Sequence, residues 1–354
     1  MKNRQLKYNI ILLLCTIAFM ALLSEGAFRA RAYIQDRKIY AKRDIILEKL
    51  NKGDYSKHHD SYGSIIRLSS NEGIAFELKP LLNWDYAGAR VETNRMGFRD
   101  RDYGFDKPEG TVRIFGIGDS IMFGQGVEQD RNYLAVLERL LNERFPERNW
   151  EAINSGVPEY NTYMEVETLQ AKGLRYNPDI VVLGFCVNDI WLPDPVIYLG
   201  LPPWEGIGKY FTLDRSYLYY FIRKRLDNSA LDWPQPINRF GHMGGGNALA
   251  SSLRRLDRLS RERKFEVVVL FLTQKKGPVE MEFMRIASAL GMHIVDMEAG
   301  IQEYMKDKGI KDYLESDMAV PDHHPSAITH RLTAEALLDY MIASGMISRN
   351  QSAD

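Results

Sequence analysis

The sequence has few cysteines and almost no net charge, and each shortage excludes a class of protein. Only two cysteines, Cys15 and Cys186, occur in 354 residues, and Cys15 lies in an apolar N-terminal run. A disulfide between them is not expected, and two separate thiols are too few for a thiolate zinc site. The formal net charge is −1. The chain therefore has no basic field that would attract nucleic acid, and we expect no nucleic-acid partner.

Two common catalytic signatures are also missing. No Gly-x-Ser-x-Gly sequence surrounds Ser120, which argues against the nucleophile elbow of the α/β-hydrolases. No Gly-Lys-Ser/Thr phosphate loop follows the first strongly apolar strand, which argues against nucleotide hydrolysis. The sequence has neither an internal repeat nor a low-complexity tract. Its length predicts one large domain, or one and a half smaller ones, with ample material for a core.

The N-terminus carries the pattern of an export signal. Lys2, Arg4 and Lys7 precede an apolar run at 10–23, which is typical of a segment whose N-terminus stays in the cytoplasm. No clear small-x-small cleavage site follows, so we predict an uncleaved signal anchor over residues 1–28, with a cleaved signal as the alternative. This anchor would bind the protein to a membrane and place its catalytic part outside the cytoplasm, in the periplasm or at the cell surface.

Three regions follow the anchor. Residues 29–75 are predicted to form a charged helical stalk and a polar linker, and residues 76–111 a small N-terminal extension of short strands and turns. Residues 112–345 alternate apolar strands with amphipathic helices, which predicts an α/β domain with a parallel sheet covered on both faces. Residues 192–245, rich in proline, glycine and aromatic residues, form an insertion. It is interpreted as a lid, a sugar-stacking wall or a small separate core.

A candidate nucleophile and its base lie about two hundred residues apart. Ser120 follows the first buried strand at a predicted strand-to-helix turn, where it is either a nucleophile or a simple helix cap. Asp322 and His324 precede the last helix. Their spacing lets the carboxylate accept a hydrogen bond from Nδ1 while Nε2 faces the serine. His323 is the rival base, but in an extended segment its side chain points the opposite way.

Further polar groups follow other strand ends. Gly156 comes after the second strand and Asn188 after the third, and carboxyl ends of parallel strands meet at one edge. The backbone N–H groups of Ser120 and Gly156 and the amide of Asn188 are therefore predicted oxyanion donors, with plain turn roles as the alternative. Asp322, His323, His324 and His330 also raise the alternative of a metal site. We expect no metal, because no second acidic or histidine group recurs at comparable strand ends, and the predicted serine mechanism requires no cofactor.

These motifs resemble the four blocks of the SGNH (GDSL) hydrolase family. Gly118-Asp119-Ser120 matches the first block, Gly156 the second, and Cys186-Val187-Asn188-Asp189 the third, with cysteine where the family often has glycine. The last block normally separates its Asp and His by two residues, whereas one residue separates Asp322 from His324. The resemblance implies a flavodoxin-like three-layer α/β/α sandwich, a triad of Ser120, His324 and Asp322, and oxyanion donors at Ser120, Gly156 and Asn188.

A shorter segment supports the same resemblance. Residues 94–99, Asn-Arg-Met-Gly-Phe-Arg, are similar to a run that often precedes the first block in membrane-anchored bacterial members. The alternative is a plain turn at Gly97.

The sequence thus predicts a serine ester hydrolase or O-acyltransferase. Its substrate would be an acyl ester, with envelope polysaccharide as one candidate. Two alternatives remain, namely a non-catalytic envelope protein that binds glycans and a metal-dependent hydrolase.

Overall fold

A computed structural model describes residues 2–52, 64–201, 216–219, 222, 239–272 and 276–347. Within these residues the strands are β1 (Ile66–Leu68), β2 (Phe76–Leu78), β3 (Asn83–Tyr86), β4 (Ala89–Glu92), β5 (Thr111–Gly118), β6 (Asn149–Asn154), β7 (Ile180–Phe185), β8 (Glu266–Phe271) and β9 (His293–Asp296). The α-helices are α1 (Lys2–Lys52), α2 (Ser120–Phe123), α3 (Tyr133–Arg144), α4 (Thr162–Ala171), α5 (Asp194–Leu199), α6 (Gly246–Arg263), α7 (Pro278–Ala289), α8 (Glu298–Lys308) and α9 (Ala327–Ala343).

The central sheet has five parallel strands in the order β6-β5-β7-β8-β9. The first strand in sequence, β5, therefore lies between the second and the third, which is the order of flavodoxin-like sheets. In such sheets a ligand site forms beyond the carboxyl ends of the strands, where the direction of winding reverses. The alternating strands and helices of residues 112–345 do form the predicted parallel sheet.

Helices cover both faces of this sheet because its strands are apolar on both sides. Val182 and Leu270 belong to the core shared with α3 and α9, whereas Val181 and Val269 belong to the core shared with α4, α6 and α7. Successive side chains of a strand point to opposite faces, so neighbours in sequence enter different cores. The result is the predicted three-layer α/β/α sandwich.

The N-terminal extension consists of two small antiparallel pairs, β1 with β2 and β3 with β4. β1 lies within the segment predicted as linker, and Ile65 beside it is fully buried. The ordered extension therefore begins before residue 76, and the linker prediction for residues 53–63 falls outside the described residues. Its core includes Phe76, Tyr86 and Phe123, so the extension packs directly on α2.

The Asn94–Arg99 segment forms a tight turn that attaches this extension to the sandwich. The side-chain oxygen of Asn94 accepts hydrogen bonds from the N–H groups of Met96 (2.9 Å) and Phe98 (3.0 Å). Gly97 has φ +78°, and a Cβ there would lie 2.6 Å from the carbonyl oxygen of Leu78. Only glycine fits such a backbone without strain, so the turn predicted at Gly97 is real.

The predicted anchor and the helical part of the stalk form one helix, α1, of 51 residues. Its apolar part is long and apolar enough to cross a membrane, by length and composition. α1 also contacts the insertion at two levels. The Glu25 carboxylate accepts hydrogen bonds from the N–H groups of Tyr217 (2.9 Å) and Leu218 (2.7 Å), and Lys42 pairs with Asp194 at 3.5 Å.

The two ends of the insertion meet beside the sheet. The N–H of Gly245 donates to the carbonyl of Ile190 at 2.7 Å. The Asn161 amide donates to the carbonyls of Trp191 (2.9 Å) and Met243 (2.8 Å). The chain thus leaves and re-enters the sandwich at one place. Most of the aromatic residues that suggested a lid or a sugar-stacking wall lie outside the described residues.

Candidate active site

Ser120 is the first residue of α2, directly beyond the carboxyl end of β5. The preceding residue, Asp119, caps this short helix, because its Oδ1 accepts a hydrogen bond from the N–H of Ile121 at 2.9 Å. Gly118 allows the sharp turn, since a Cβ there would lie 2.7 Å from the Cβ of Met122. Asp119 therefore supplies the cap, and the hydroxyl of Ser120 is left for another partner.

That partner is His324. Its Nε2 lies 2.9 Å from the Oγ of Ser120, a normal hydrogen-bond distance. Its Nδ1 lies 3.1 Å from Oδ1 of Asp322, although the direction of this contact falls short of a hydrogen bond. Such contacts often tighten only when substrate is bound. The structure thus brings together the three residues that the sequence predicts as a triad.

His323 lies on the same loop but does not join this contact. Its backbone has φ +72°, which is the left-handed region, and the residue is exposed. The sequence analysis assumed an extended chain at this position. The structure instead has a turn at His323. This turn places Asp322 and His324 close together, so that Oδ1 of Asp322 also accepts the N–H of His324 at 3.3 Å.

Asp322 is held as a carboxylate. Partial burial raises the pKa of Asp322, but the hydrogen bond from Gln125 and the neighbouring imidazole of His324 lower it by more, so the pKa of Asp322 lies below its ordinary value. The Gln125 Nε2 donates to Oδ2 of Asp322 at 2.7 Å. Sequence reasoning missed Gln125, because nothing in its local sequence points to a partner 197 residues away.

Asn188 reaches the same edge from the 3-10 turn Val187–Ile190 after β7. Its Nδ2 donates to Oδ2 of Asp119 at 3.2 Å, and the Oγ of Ser120 lies 3.4 Å from the same oxygen. Asp119 is buried, and this burial raises its pKa despite the hydrogen bonds that it accepts from Ile121 and Asn188. The Asp119 carboxylate thus connects the candidate nucleophile with the predicted amide donor.

Gly156 follows β6 and packs directly against α2. A Cβ on Gly156 would lie 2.4 Å from the backbone nitrogen of Phe123. Its own N–H donates to the side-chain oxygen of Asn154 at 2.9 Å. In this structure the N–H of Gly156, a predicted oxyanion donor, therefore already has an acceptor. A glycine is required at this position because the loop after β6 lies so close to α2.

Glu159, on the same loop, is another residue that sequence reasoning missed. It is exposed and has φ +70°. Partial burial of its carboxyl group and the negative charges of Asp194 and Asp119 raise the pKa of Glu159, and the nearby His324 ring offsets this only in part. An acidic side chain thus lies within electrostatic range of the candidate site.

A buried arginine fixes the other end of α2. The Arg99 guanidinium donates to the carbonyls of Phe123 (3.0 Å), Gly124 (2.6 Å) and Val127 (2.7 Å) and, from the extension, Arg90 (2.8 Å). Burial lowers the pKa of Arg99 to about 10. The Asn94–Arg99 motif indicated this residue, but its partners became visible only in the fold.

The residues considered as a metal site do not form one. Among the described residues, no group of three or more His, Cys, Asp and Glu side chains is arranged to hold a metal ion. His330 is fully buried on α9, where its Nδ1 faces the N–H of Tyr133 at 3.3 Å. Burial lowers the pKa of His330 to about 3, so this ring is neutral. His330 therefore packs in the core and does not take part in the loop that carries His324.

The parallel α/β sheet thus carries a serine, an imidazole and a carboxylate at its carboxyl edge, where ligand sites of such sheets lie. The chain belongs to the GDSL-like Lipase/Acylhydrolase family, whose sequence model matches residues 117–332. Membership agrees with the resemblance predicted from the motifs. The matched residues begin after α1, so they do not bear on the predicted anchor.

Solved structures with a similar chain fold include three esterases or lipases. A two-domain esterase (CEX) active on acetylated mannans matches with TM-score 0.44 and 16% identity over 69% of this chain, which spans only 52% of that esterase. A variant of an acetyl xylan esterase from Geobacillus stearothermophilus matches with TM-score 0.39 and 18% identity, over 65% of this chain and 94% of the other. A GDSL-like lipase from Parabacteroides merdae matches with TM-score 0.41 and 16% identity, over 69% of this chain and 100% of the other. The comparison with curated protein sequences finds no match.

Proposed function

We propose that this protein hydrolyses acyl esters through Ser120, His324 and Asp322. The observation that carries the proposal is the 2.9 Å contact between the Oγ of Ser120 and Nε2 of His324, which are 204 positions apart in sequence. A serine hydroxyl needs an adjacent base that is itself oriented by a third group. Asp322 supports that role, because its carboxylate lies 3.1 Å from Nδ1 of the same ring.

In the proposed reaction, His324 takes the proton of Ser120 as Oγ attacks the ester carbonyl. The Ser120 N–H and the Asn188 amide stabilise the oxyanion. An amide nitrogen carries two hydrogens, so Asn188 can donate one to Asp119 and the other to substrate. Gly156 would be a third donor only if its N–H were shared between Asn154 and the oxyanion. His324 then protonates the leaving alcohol.

Water or a sugar hydroxyl resolves the acyl-enzyme, and this choice separates a hydrolase from an O-acyltransferase. We favour acetyl esters of a polysaccharide as the first substrates to test. Two of the similar structures are named for esterases of acetylated mannan and of xylan. Product analysis with an acetyl donor and an oligosaccharide acceptor distinguishes released acetate from acetylated sugar.

We also propose that α1 anchors the protein, with the sandwich outside the cytoplasm. Lys2, Arg4 and Lys7 before the apolar run support this orientation. Protease protection in spheroplasts tests it, because an external sandwich is digested while the membrane stays intact.

The catalytic proposal is tested with Ser120→Ala in the full chain. We expect loss of p-nitrophenyl acetate hydrolysis and of labelling by a fluorophosphonate, with the melting temperature unchanged. Ser288→Ala, at an exposed position of α7, is the matched control and should behave as wild type. Retained hydrolysis and labelling in Ser120→Ala would contradict the proposal. A wild-type protein that binds acetylated glycans without turnover or labelling would favour the glycan-binding alternative.

A further inference from the structure

We propose that Gln125 is a positioning residue that holds the Asp322 carboxylate against His324. The inference rests on the proposed triad but concerns a residue outside it. Gln125 lies just beyond α2, on the segment that carries Ser120, whereas Asp322 belongs to the loop before α9. The side chain of Gln125 thus connects the segment that carries Ser120 to the loop that carries Asp322 and His324. A Ser–His–Asp site requires these two segments to lie close together.

The contacts of Gln125 extend to both sides of the site. Its backbone N–H donates to the carbonyl of Ser120 at 3.1 Å, and its side-chain Nε2 donates to Oδ2 of Asp322 at 2.7 Å. The next residue, Gly126, has φ +81°, and a Cβ there would lie 2.7 Å from Cγ2 of Val320. The Asp322 loop is therefore packed against residues 125–126 as well as hydrogen bonded to them.

A tyrosine of the N-terminal extension sets the orientation of the Gln125 amide. The hydroxyl of Tyr86, at the end of β3, donates to Oε1 of Gln125 at 3.4 Å. The Tyr86 ring is buried and meets the Phe123 ring edge-on at 6.2 Å. An amide has one acceptor end and one donor end. A donor on Oε1 therefore turns Nε2 toward the carboxylate.

Asp322 needs this support because its own loop holds it weakly. Its side chain is 39% exposed, and the bond from the N–H of His324 is long, at 3.3 Å. Gln125 is the hydrogen-bond donor to Oδ2 among the described residues, so without it the carboxylate could turn away from Nδ1. Gln125 acts on the orientation of His324 through Asp322, so we expect its loss to lower kcat and leave KM unchanged.

Two substitutions separate this role from simple packing. Gln125→Met keeps the length of the side chain and removes the hydrogen bond, so kcat should fall roughly 10-fold at every pH, as expected for a partly exposed bond to a charged group. Gln125→Glu places a second carboxylate beside Asp322. When ionised it repels Asp322, and when protonated it donates a hydrogen bond as the amide does.

The pH dependence of the ratio between variant and wild type is therefore the decisive measurement. Among the described residues, the titratable group that acts on Asp322 is His324, with His323 beside it in sequence and Tyr86 reached through Gln125. Asp119 and Glu159 act on His324 from the ends of β5 and β6. All of these are shared by variant and wild type. A carboxylate at position 125 that acted only by favouring protonated His324 would lower the ratio at low pH, which is opposite to the rise expected here. For Gln125→Glu this ratio should rise several-fold from pH 8 to pH 5, whereas for Gln125→Met it should stay flat.

A flat ratio for Gln125→Glu, or a kcat of Gln125→Met within 2-fold of wild type, would overturn the inference. The folded fraction of each variant, measured by circular dichroism at both pH values, shows whether unfolding contributes to the recovery, because repulsion between two carboxylates can also destabilise the fold at high pH. Tyr86→Phe should lower kcat about 2-fold, as expected for loss of a long hydrogen bond, and Gln35→Met at an exposed position of α1 is the control. If Ser120→Ala is inactive and the Gln125 variants match wild type, only this inference fails. If Ser120→Ala is active, the proposed function fails first.

Discussion

Gly156 shows how one residue can satisfy two different interpretations until the fold is known. The sequence motif indicates a backbone donor for an oxyanion, whereas the structure shows a glycine pressed against α2 with its N–H directed to Asn154. Both roles require the position beside Ser120, but only the packing role requires the absence of a Cβ. A substitution that keeps the N–H and adds a methyl group therefore separates them.

We predict that Gly156→Ala destabilises the protein and displaces Ser120. The new Cβ would lie 2.4 Å from the backbone nitrogen of Phe123, so α2 has to move, at a cost of about 1–3 kcal/mol for overpacking. Urea denaturation and turnover of p-nitrophenyl acetate measure both effects. Gly300→Ala on α8 is the control, because nothing lies within 4 Å of its added Cβ. Unchanged stability with unchanged kcat would instead contradict the packing role and leave the donor role, which needs only the N–H.

Among the elements, α2 is the shortest of the α-helices that the structure describes, and it depends on its neighbours for its place. It has four residues, too few to be stable by its own backbone hydrogen bonds. Asp119 caps its N-terminus, and the Arg99 guanidinium donates hydrogen bonds to the carbonyl groups at its C-terminus. The extension that supplies Arg99 is therefore part of the support for Ser120, although it precedes the family-matched residues.

We expect Arg99→Met to destabilise the protein by about 2–4 kcal/mol, because it leaves buried carbonyl groups without a donor. Denaturant unfolding gives this value directly. Arg95→Met, four residues earlier in the same motif, is the matched control, since its side chain is 80% exposed and its contact with Asp102 is long, at 3.4 Å. That variant should stay within about 0.5 kcal/mol of wild type. Equal stabilities for the two variants would refute the role of Arg99.

The sheet could be predicted from the sequence, whereas the residues that hold the candidate catalytic side chains in position could not. Strands such as Ile180–Phe185 are apolar on both faces, and that pattern alone requires helices on both sides. The pairing of Ser120 with His324 was predicted from residue types and from strand ends. Gln125 and Asn154 were not, because each has a partner set by how loops of different strands approach, which local periodicity does not encode.

At the scale of the whole molecule, α1 and the insertion share a contact that ties the predicted anchor to the sandwich. The uncharged part of α1 from Tyr8 to Ser24 is about 25 Å long, slightly less than the hydrocarbon core of a bilayer. Glu25 follows it directly. Its carboxylate pairs with Arg29 at 2.7 Å and accepts the hydroxyl of Ser216 at 3.0 Å, in addition to two backbone N–H groups of the insertion.

We predict that Glu25→Ala releases residues 216–219 from α1 without unfolding the sandwich. Loss of three hydrogen bonds from the insertion lowers the free energy of local opening, and cleavage by a protease that acts on the open form should accelerate about 10-fold. Limited proteolysis of the full chain in detergent, with fragments identified by mass, measures the rate and the position of cleavage. Asp44→Ala, an exposed acid further along α1, is the control and should be cleaved at the wild-type rate. Equal cleavage of Glu25→Ala and wild type would show that the insertion is held by other contacts.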